Sequence, residues 1–248
     1  MAGNPGAAAG SAGLNARVAL DLAGETLWLL ADKAVYWPAR RALLIADVHF
    51  GKAAAYRRLG QPVPHGTTAD NLRRLDRLLQ AHDCDWLIFL GDFLHARESR
   101  APATLAALAG WRAGHPNLRL TLVRGNHDRR AGDPPAGLAI ETVAEPLRLG
   151  PFALQHEPTP CPGHYVLAGH VHPVFHLGGR GRQRLRLPCF CLDEAVGLLP
   201  AFGQFTGGFA MDARAGRRLY VVGDGGVWPV AGRALGAEEG RQKNEGRS

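Results

Sequence analysis

Four apolar runs along the chain each break off in a polar cluster. Leu43-Leu44-Ile45-Ala46 leads into Asp47-Val48-His49, and Trp86–Leu90 leads into Gly91-Asp92. Leu118–Val123 leads into Gly125-Asn126-His127-Asp128, and Tyr165–Ala168 into Gly169-His170-Val171-His172. Short apolar runs bounded by Gly and polar residues read as core strands. The residues that follow them pack poorly and carry metal-binding or proton-handling atoms. The pattern therefore predicts four strands that deliver Asp, His and Asn to one rim.

Further strands are predicted at Thr26–Leu30 and Ala34–Trp37, and Gly51 to His65 reads as a long polar connection. Thr67-x-x-Asp70 has the form of a capping box opening a helix. In that helix Leu72, Leu75, Leu78 and Leu79 make an apolar face, with Arg73, Arg74 and Arg77 toward solvent. Pro102 fits the first turn of a second helix running to about Arg112 and stopped by Gly114 and Pro116. Strand, helix, strand, helix, strand in this order argues for an α/β fold with parallel strands and crossover helices. After Pro134 the segments are shorter: Phe152–His156, Val166–His170, a hairpin over Phe175–Leu187, Val196–Pro200 and Leu219–Trp228. They read as a largely antiparallel second sheet. No linker divides two cores, so a single domain over residues 16–230 is expected, with a disordered tail at 1–15 and a flexible polar tail at 231–248. The five tryptophans, Trp28, Trp37, Trp86, Trp111 and Trp228, read as core.

With 248 residues and 46% hydrophobic content, the chain is long enough to bury a large core. Its formal charge of +7 has two readings. It suits a polyanionic partner such as nucleic acid, and it equally suits a GC-rich genome, since Lys occurs only at positions 33, 52 and 243 while Arg, Ala and Gly abound. Cys84, Cys161, Cys189 and Cys191 lack the spacing of a zinc site or a secreted framework, so reduced thiols in a cytoplasmic protein are expected. No membrane span is expected, nor a signal peptide at the Ala- and Gly-rich start.

The candidate ligands are Asp47, His49, Asp92, Asn126, His156, His170 and His172. A strand places residues i and i+2 on one side, so Asp47/His49 and His170/His172 are expected to face a common centre. Carboxylate, imidazole and amide oxygen together suit Mn, Fe or Zn better than calcium or magnesium. Seven ligands exceed one open site and suit two ions about 3.5–4 Å apart, the arrangement that serves phosphoester cleavage. Each motif alone has an ordinary explanation, a turn, a helix cap or a hydrogen-bonded core histidine. Their joint placement at strand ends does not.

Asp47-x-His49, Gly91-Asp92, Gly125-Asn126-His127-Asp128, His156 and Gly169-His170-x-His172 resemble the motif series of the calcineurin-like metallophosphoesterases. Asp47–Lys52, Arg124–Arg130, Arg186–Phe190 and Leu199–Gly208 further resemble the bacterial ligase-associated DNA-damage-response endonucleases. The resemblance implies a four-layer α-β-β-α sandwich, two mixed sheets flanked by helices, with a di-manganese site. Asp47, His49, Asp92 and His172 would hold one ion, and Asp92, Asn126, His156 and His170 the other, with Asp92 bridging. His127 would assist departure of the leaving oxygen during in-line attack by a metal-activated hydroxide, and Asp128 would orient His127. The implied role is a DNA endonuclease in repair beside an ATP-dependent ligase and a helicase. Two other readings stay open: a small-molecule phosphoesterase on the same site, and a catalytically silent binding module.

Lys52, Arg129 and Arg130 adjoin the motifs and are the candidates for gripping substrate phosphate. Arg180, Arg182, Arg184 and Arg186 alternate along one predicted strand, as a nucleic-acid-tracking ribbon would. An edge strand charged against aggregation would look the same. Arg57, Arg58, Arg97 and Arg100 read as plain surface or as further phosphate contacts, and His95 as a neighbour of the metal site.

Overall fold

The computed structural model describes residues 16–58, 60, 67–178, 184–204 and 206–230. The tails expected at 1–15 and 231–248 lie outside them. The first half of the chain builds β1 (Arg17–Leu22), β2 (Glu25–Leu30), β3 (Ala34–Trp37) and β4 (Ala42–Ala46), then α1 (Lys52–Arg58), α2 (Thr67–Ala81) and β5 (Trp86–Leu90). It continues through α3 (Pro102–Gly114), β6 (Arg119–Val123), α4 (Asn126–Ala131) and β7 (Ile140–Val143). These strands form one sheet in sequence order. The pairs from β1 to β4 are antiparallel, and those from β4 to β7 are parallel.

Why β4, β5 and β6 are near-continuous apolar runs is clear from what covers them. Every residue of β4 is fully buried, as a parallel strand covered on both faces must be. Leu43, Ile45, Leu87, Phe89, Leu120 and Leu122 point to one face, where they meet Leu72, Leu75 and Leu78 of α2 and Leu108 of α3. Leu44, Ala46, Ile88, Leu90 and Val123 point to the other, against Phe152, Leu154, Leu167 and Phe190.

Those partners belong to the second sheet, made of β8 (Leu147–Leu149), β9 (Phe152–Gln155), β10 (Tyr165–Ala168), β11 (Pro173–Gly178), β12 (Arg184–Leu192) and β13 (Val196–Leu198), with β14 (Phe209–Ala210), β15 (Arg218–Gly223) and β16 (Gly226–Pro229). The sheet is mixed: β10 runs parallel to both β9 and β13, and β11 runs parallel to β14. The hairpins β11–β12 and β15–β16 supply the expected antiparallel character. Two mixed sheets packed face to face with helices outside make an α/β sandwich. Among the described residues the outer face of the second sheet, with Val166, Cys189, Cys191 and Leu219, is closed by segments carrying Met211 and Cys161 rather than by a helix.

Local readings were overridden in four places. The connection after Gly51 contains α1, because Lys52-Ala53-Ala54-Ala55 is strongly helix-forming and buries Ala53 and Ala55. Helix α2 starts at Thr67, and the Asp70 carboxylate pairs with Arg73 instead of reaching back to the helix start. Arg74 turns inward onto the ring of Phe202, 3.7 Å from its centroid, while Arg73 and Arg77 stay outside. Trp228 is 42% exposed on β16, although Trp37 is fully buried.

The two sheets meet through their backbones at the carboxyl end of β4. There Ala46 makes a parallel bridge to Ala201, just beyond β13. Leu199 donates its N–H to Ala168 of β10 and Phe202 donates to Ala46 of β4, so residues 199–203 form a strap between the sheets. Deeper in, Phe152 stands edge-on to Trp37 with centroids 5.0 Å apart. Phe152→Ala should therefore cost about 3–5 kcal/mol of unfolding free energy, read from urea denaturation. A loss below about 1 kcal/mol would mean that this face does not hold the sheets together.

Candidate metal centre

Strands β4, β5, β6 and β10 end on the same side, and the chain turns sharply at each end. Asp47, His49, Asp92, His170 and His172 all have φ between 50 and 68°. Non-glycine residues in this left-handed region cost about 1–3 kcal/mol each and gather where the surroundings impose them. The expectation that the pleat of a strand aims Asp47/His49 and His170/His172 together is corrected here. Strand β4 ends at Ala46 and β10 at Ala168, so left-handed turns, not alternation along a strand, bring each pair around. Asn126, His127 and Asp128 form the first turn of α4 directly after β6, and His156 follows the last residue of β9. Gly169 carries no side chain where a Cβ would lie 2.6 Å from Asp47 Oδ2 and 3.0 Å from the Leu90 carbonyl. Its absence lets the second sheet approach the first.

All seven candidate ligands converge. Asp47 Oδ1 lies 3.4 Å from His172 Nε2 and 3.7 Å from His156 Nδ1. The Asp47 carboxylate also accepts the His170 backbone N–H at 3.0 and 3.2 Å. Asp92 Oδ1 lies 3.4 Å from His156 Nε2, and Asp92 Oδ2 lies 3.8 Å from His49 Nε2. His156 Nε2 is 2.8 Å from Asn126 Oδ1 and 3.0 Å from His170 Nδ1. Ligand atoms of Asp47, His49 and His172 all fall within 4.8 Å of one another, as do those of Asp47, Asp92 and His156. Asp47 belongs to both groups, and Asp92, a member of the second, also lies 3.8 Å from His49 of the first.

Apart from the His170 backbone N–H on Asp47, these contacts set imidazole nitrogens against oxygens and against one another. His156 Nδ1 faces the Leu90 carbonyl at 3.2 Å, which can only accept, so this nitrogen carries the ring proton. Its Nε2 then presents a bare lone pair toward Asn126 Oδ1 and Asp92 Oδ1. His172 Nε2, aimed at Asp47, is a buried atom with no hydrogen-bond partner among the described residues. Asp47, Asp92 and His156 are at most 2% exposed. Burial, and then the Asp47 carboxylate, push the Asp92 pKa up to about 8. Burial likewise lowers His156 and His49, so both imidazoles stay neutral. Converging lone pairs and two desolvated carboxylates are unfavourable alone and fit divalent cations.

His127 stands beside this cluster. Its backbone N–H donates to Asp92 Oδ1 at 3.0 Å. Its Nδ1 is 2.7 Å from the His95 carbonyl, which assigns the proton to Nδ1 and leaves Nε2 facing the rim, 3.9 Å from Asp92 Oδ2. The expectation that Asp128 orients His127 is corrected. The buried Asp128 carboxylate accepts from the backbone N–H groups of Phe93, Leu94 and Gly125, and so ties the Asp92 turn to the start of α4. The orienting group is the His95 carbonyl, and the His95 ring stacks on His127 with centroids 5.1 Å apart. Burial and Lys52 lower the His95 pKa to about 4.

Among the substrate candidates, Lys52 is nearly buried beside the rim, and burial lowers its pKa against the pull of Asp92 and Asp47. Arg130 is exposed. Arg129 is paired with Glu145 at 3.2 Å, and Glu145 also accepts the backbone N–H groups of His156 and Glu157. The sequence alone does not mark Glu145, since an isolated carboxylate before a proline carries no motif. Arg184 and Arg186 are exposed on β12, opposite Gly178 and His176 of β11. Arg180 and Arg182 lie outside the described residues. Arg97 and Arg100 donate to the carbonyls of Arg130 and Asp133.

The family model of the calcineurin-like phosphoesterases matches residues 40–158. The crystal structure of the Pseudomonas putida nuclease MPE is 60% identical, covers 86% of this chain and 100% of its own, and superposes with a TM-score of 0.78. A solved protein of unknown function from Aquifex aeolicus, AQ665, is 20% identical over 57% of this chain and 82% of its own, with a TM-score of 0.36, too low to bear on the fold. No curated protein matches significantly. The matched span begins just before β4 and ends just past His156, taking in three of the four rim strands, and the Pseudomonas relative aligns over its whole length. The chain belongs to the calcineurin-like phosphoesterases and is a metal-dependent hydrolase of phosphate esters.

Proposed function

We propose that the protein is a DNA-cleaving phosphodiesterase working with two divalent ions. The observation that carries this reading is the convergence of seven donor side chains on one rim beside the open Nε2 of His127. Asp47, His49, Asp92 and His172 would hold one ion, and Asp92, Asn126, His156 and His170 the other. The mixed oxygen and nitrogen donor set suits Mn2+ best, with Fe or Zn as substitutes. When bound, such ions neutralise phosphate charge and activate the attacking water.

The remaining steps belong to the chain. The His95 carbonyl holds His127 through Nδ1–H, so a second proton on Nε2 points toward the rim. As the phosphorus–oxygen bond to the leaving alkoxide breaks, that proton passes to the departing oxygen. Asp128 keeps α4 docked on the Asp92 turn, so that ligand and acid move as one unit. Lys52 supplies a nearby positive charge for the phosphate, with Arg130 at the rim. Arg129 answers first to Glu145 and contributes by steadying the His156 turn.

DNA as substrate is supported by the +7 charge, by the exposed Arg184 and Arg186, and by the nuclease activity named for the Pseudomonas relative. A role in repair beside an ATP-dependent ligase and a helicase rests on the sequence resemblance. The four cysteines are free thiols, in accord with a reducing cytoplasm. No helix among the described residues is long and apolar enough to cross a membrane.

Asp92→Asn should abolish Mn2+-dependent hydrolysis while the circular dichroism spectrum is retained. Turnover near that of the unmodified protein would overturn the assignment. Alanine at both Arg184 and Arg186 should lower the slope of log affinity for DNA against log salt by about 2; an unchanged slope would remove these residues from the DNA path. Because Asp92 holds its proton up to about pH 8 without metal, Mn2+ binding at pH 7 should release protons. The calorimetric heat should therefore vary with the ionisation enthalpy of the buffer, and less so as pH rises past 8. Heats identical in Pipes and Tris at pH 7 would refute this.

A further inference from the structure

Lys33 and Arg74 stand outside the rim and take no part in the chemistry above, yet both are spent on one short segment. Lys33 occupies the turn between β2 and β3 with φ 63°. Its Nζ donates to the carbonyls of Ala201 at 2.6 Å and Gly203 at 3.2 Å. The Arg74 guanidinium donates to the carbonyl between them, that of Phe202, and lies over the Phe202 ring. Three successive carbonyls of the strap are thus held by two cationic side chains. The arrangement is costly: burial and Arg74 lower the Lys33 pKa to about 7, and burial lowers that of Arg74 to about 10. Nothing in a simple loop closure calls for two desolvated cations.

What lies on the other edge of the strap is the turn that bears Asp47 and His49. Phe202 N–H donates to the Ala46 carbonyl at 2.8 Å, and Gly203 N–H donates to the Asp47 carbonyl at 3.0 Å. A Cβ on Gly203 would come within 2.5 Å of the Val48 carbonyl, so the strap lies directly on the turn. Asn71, one helical turn before Arg74, donates to that Val48 carbonyl at 3.4 Å and accepts from Arg74 at 3.3 Å. The carbonyls of Ala46, Asp47 and Val48 are therefore all engaged. The two left-handed residues, Asp47 and His49, sit on the peptide units so fixed.

We propose that Lys33 and Arg74 are positioning residues for the metal centre. Through the strap at 201–203 and through Asn71 they hold the left-handed turn that aims Asp47 and His49 at the ion. The inference rests on the reading of Asp47 and His49 as ligands, and it assigns a task to Ala201, Phe202 and Gly203, which the chemistry leaves without one. Loosening an outer support of a metal ligand typically weakens the metal by about 10- to 100-fold.

The test is calorimetric titration of Mn2+ into the metal-free full-length protein, comparing the unmodified chain with Lys33→Met, Lys33→Arg and Arg74→Met. Each variant is checked by circular dichroism and by its melting temperature without metal. Leu219→Ala, in the core beyond the second sheet, serves as a control that is destabilised away from the rim. Lys33→Met and Arg74→Met should bind Mn2+ about 10- to 100-fold more weakly, and Lys33→Arg should recover most of the loss. Leu219→Ala should melt lower and bind normally. Unchanged affinity in the folded Lys33→Met and Arg74→Met proteins overturns the proposal, as does an equal loss in Leu219→Ala. Should Lys33→Met not fold, Lys33→Gln replaces it under the same criteria. An unmodified protein that binds no Mn2+ at all overturns the metal reading itself, an outcome separate from failure of the positioning role.

Discussion

The structure depends on keeping acceptor atoms crowded together where its two sheets meet. Asp47, Asp92, Asn126, His156, His170 and His172 bring lone pairs to one rim, where Asp47, Asp92 and His156 are buried and His170 is exposed. In a low-dielectric interior such a cluster is stable only with positive charge at its centre. The raised pKa of Asp92 and the partnerless Nε2 of His172 both report that demand. The fold supplies a rigid frame that holds the cluster open to a cation when the side chains alone would separate.

Two features of the frame matter most. The parallel strands β4, β5 and β6, buried on both faces, fix three chain ends side by side. The second sheet brings His156 and His170 to the same edge from β9 and β10. Neither sheet could form the rim alone, since the ligands divide between them. The close approach at Gly169 and the strap at 199–203 join the sheets where the ligands lie, so backbone ties between the sheets and the chemistry share one location.

Beyond the ligands, support comes from backbone contacts more than from side-chain pairs. Asp128 gathers three N–H groups, Glu145 gathers two, and Lys33 with Arg74 gathers three carbonyls. Each is an ionisable group spent on holding a turn. The five ligand residues with positive φ would relax toward ordinary backbone geometry without such holds. Strain at the rim and buried charge behind it are therefore two sides of one arrangement.

The sequence determined the elements and the identity of the ligands. Apolar runs ending in Asp, His or Asn marked β4, β5, β6 and β10, because burial on two faces demands uninterrupted hydrophobicity and polar atoms are tolerated only where the strand stops. Its strand–helix alternation marked the parallel run from β4 to β7, but not the parallel pairing of β10 with β9 and β13 in the second sheet. The charges flanking Ala53-Ala54-Ala55 hide helix α1 from a reading by pattern, and helical periodicity puts Arg74 toward solvent because it carries no trace of a partner 128 residues away. Tertiary structure alone decided that left-handed turns, not strand pleat, aim the ligand pairs, and that the His95 carbonyl, not Asp128, orients His127. It alone joined Lys33 to a strap from the far end of the chain. Such contacts are set by which backbone atoms meet after the sheets close, and a linear pattern of side chains carries no record of unpaired carbonyls and N–H groups.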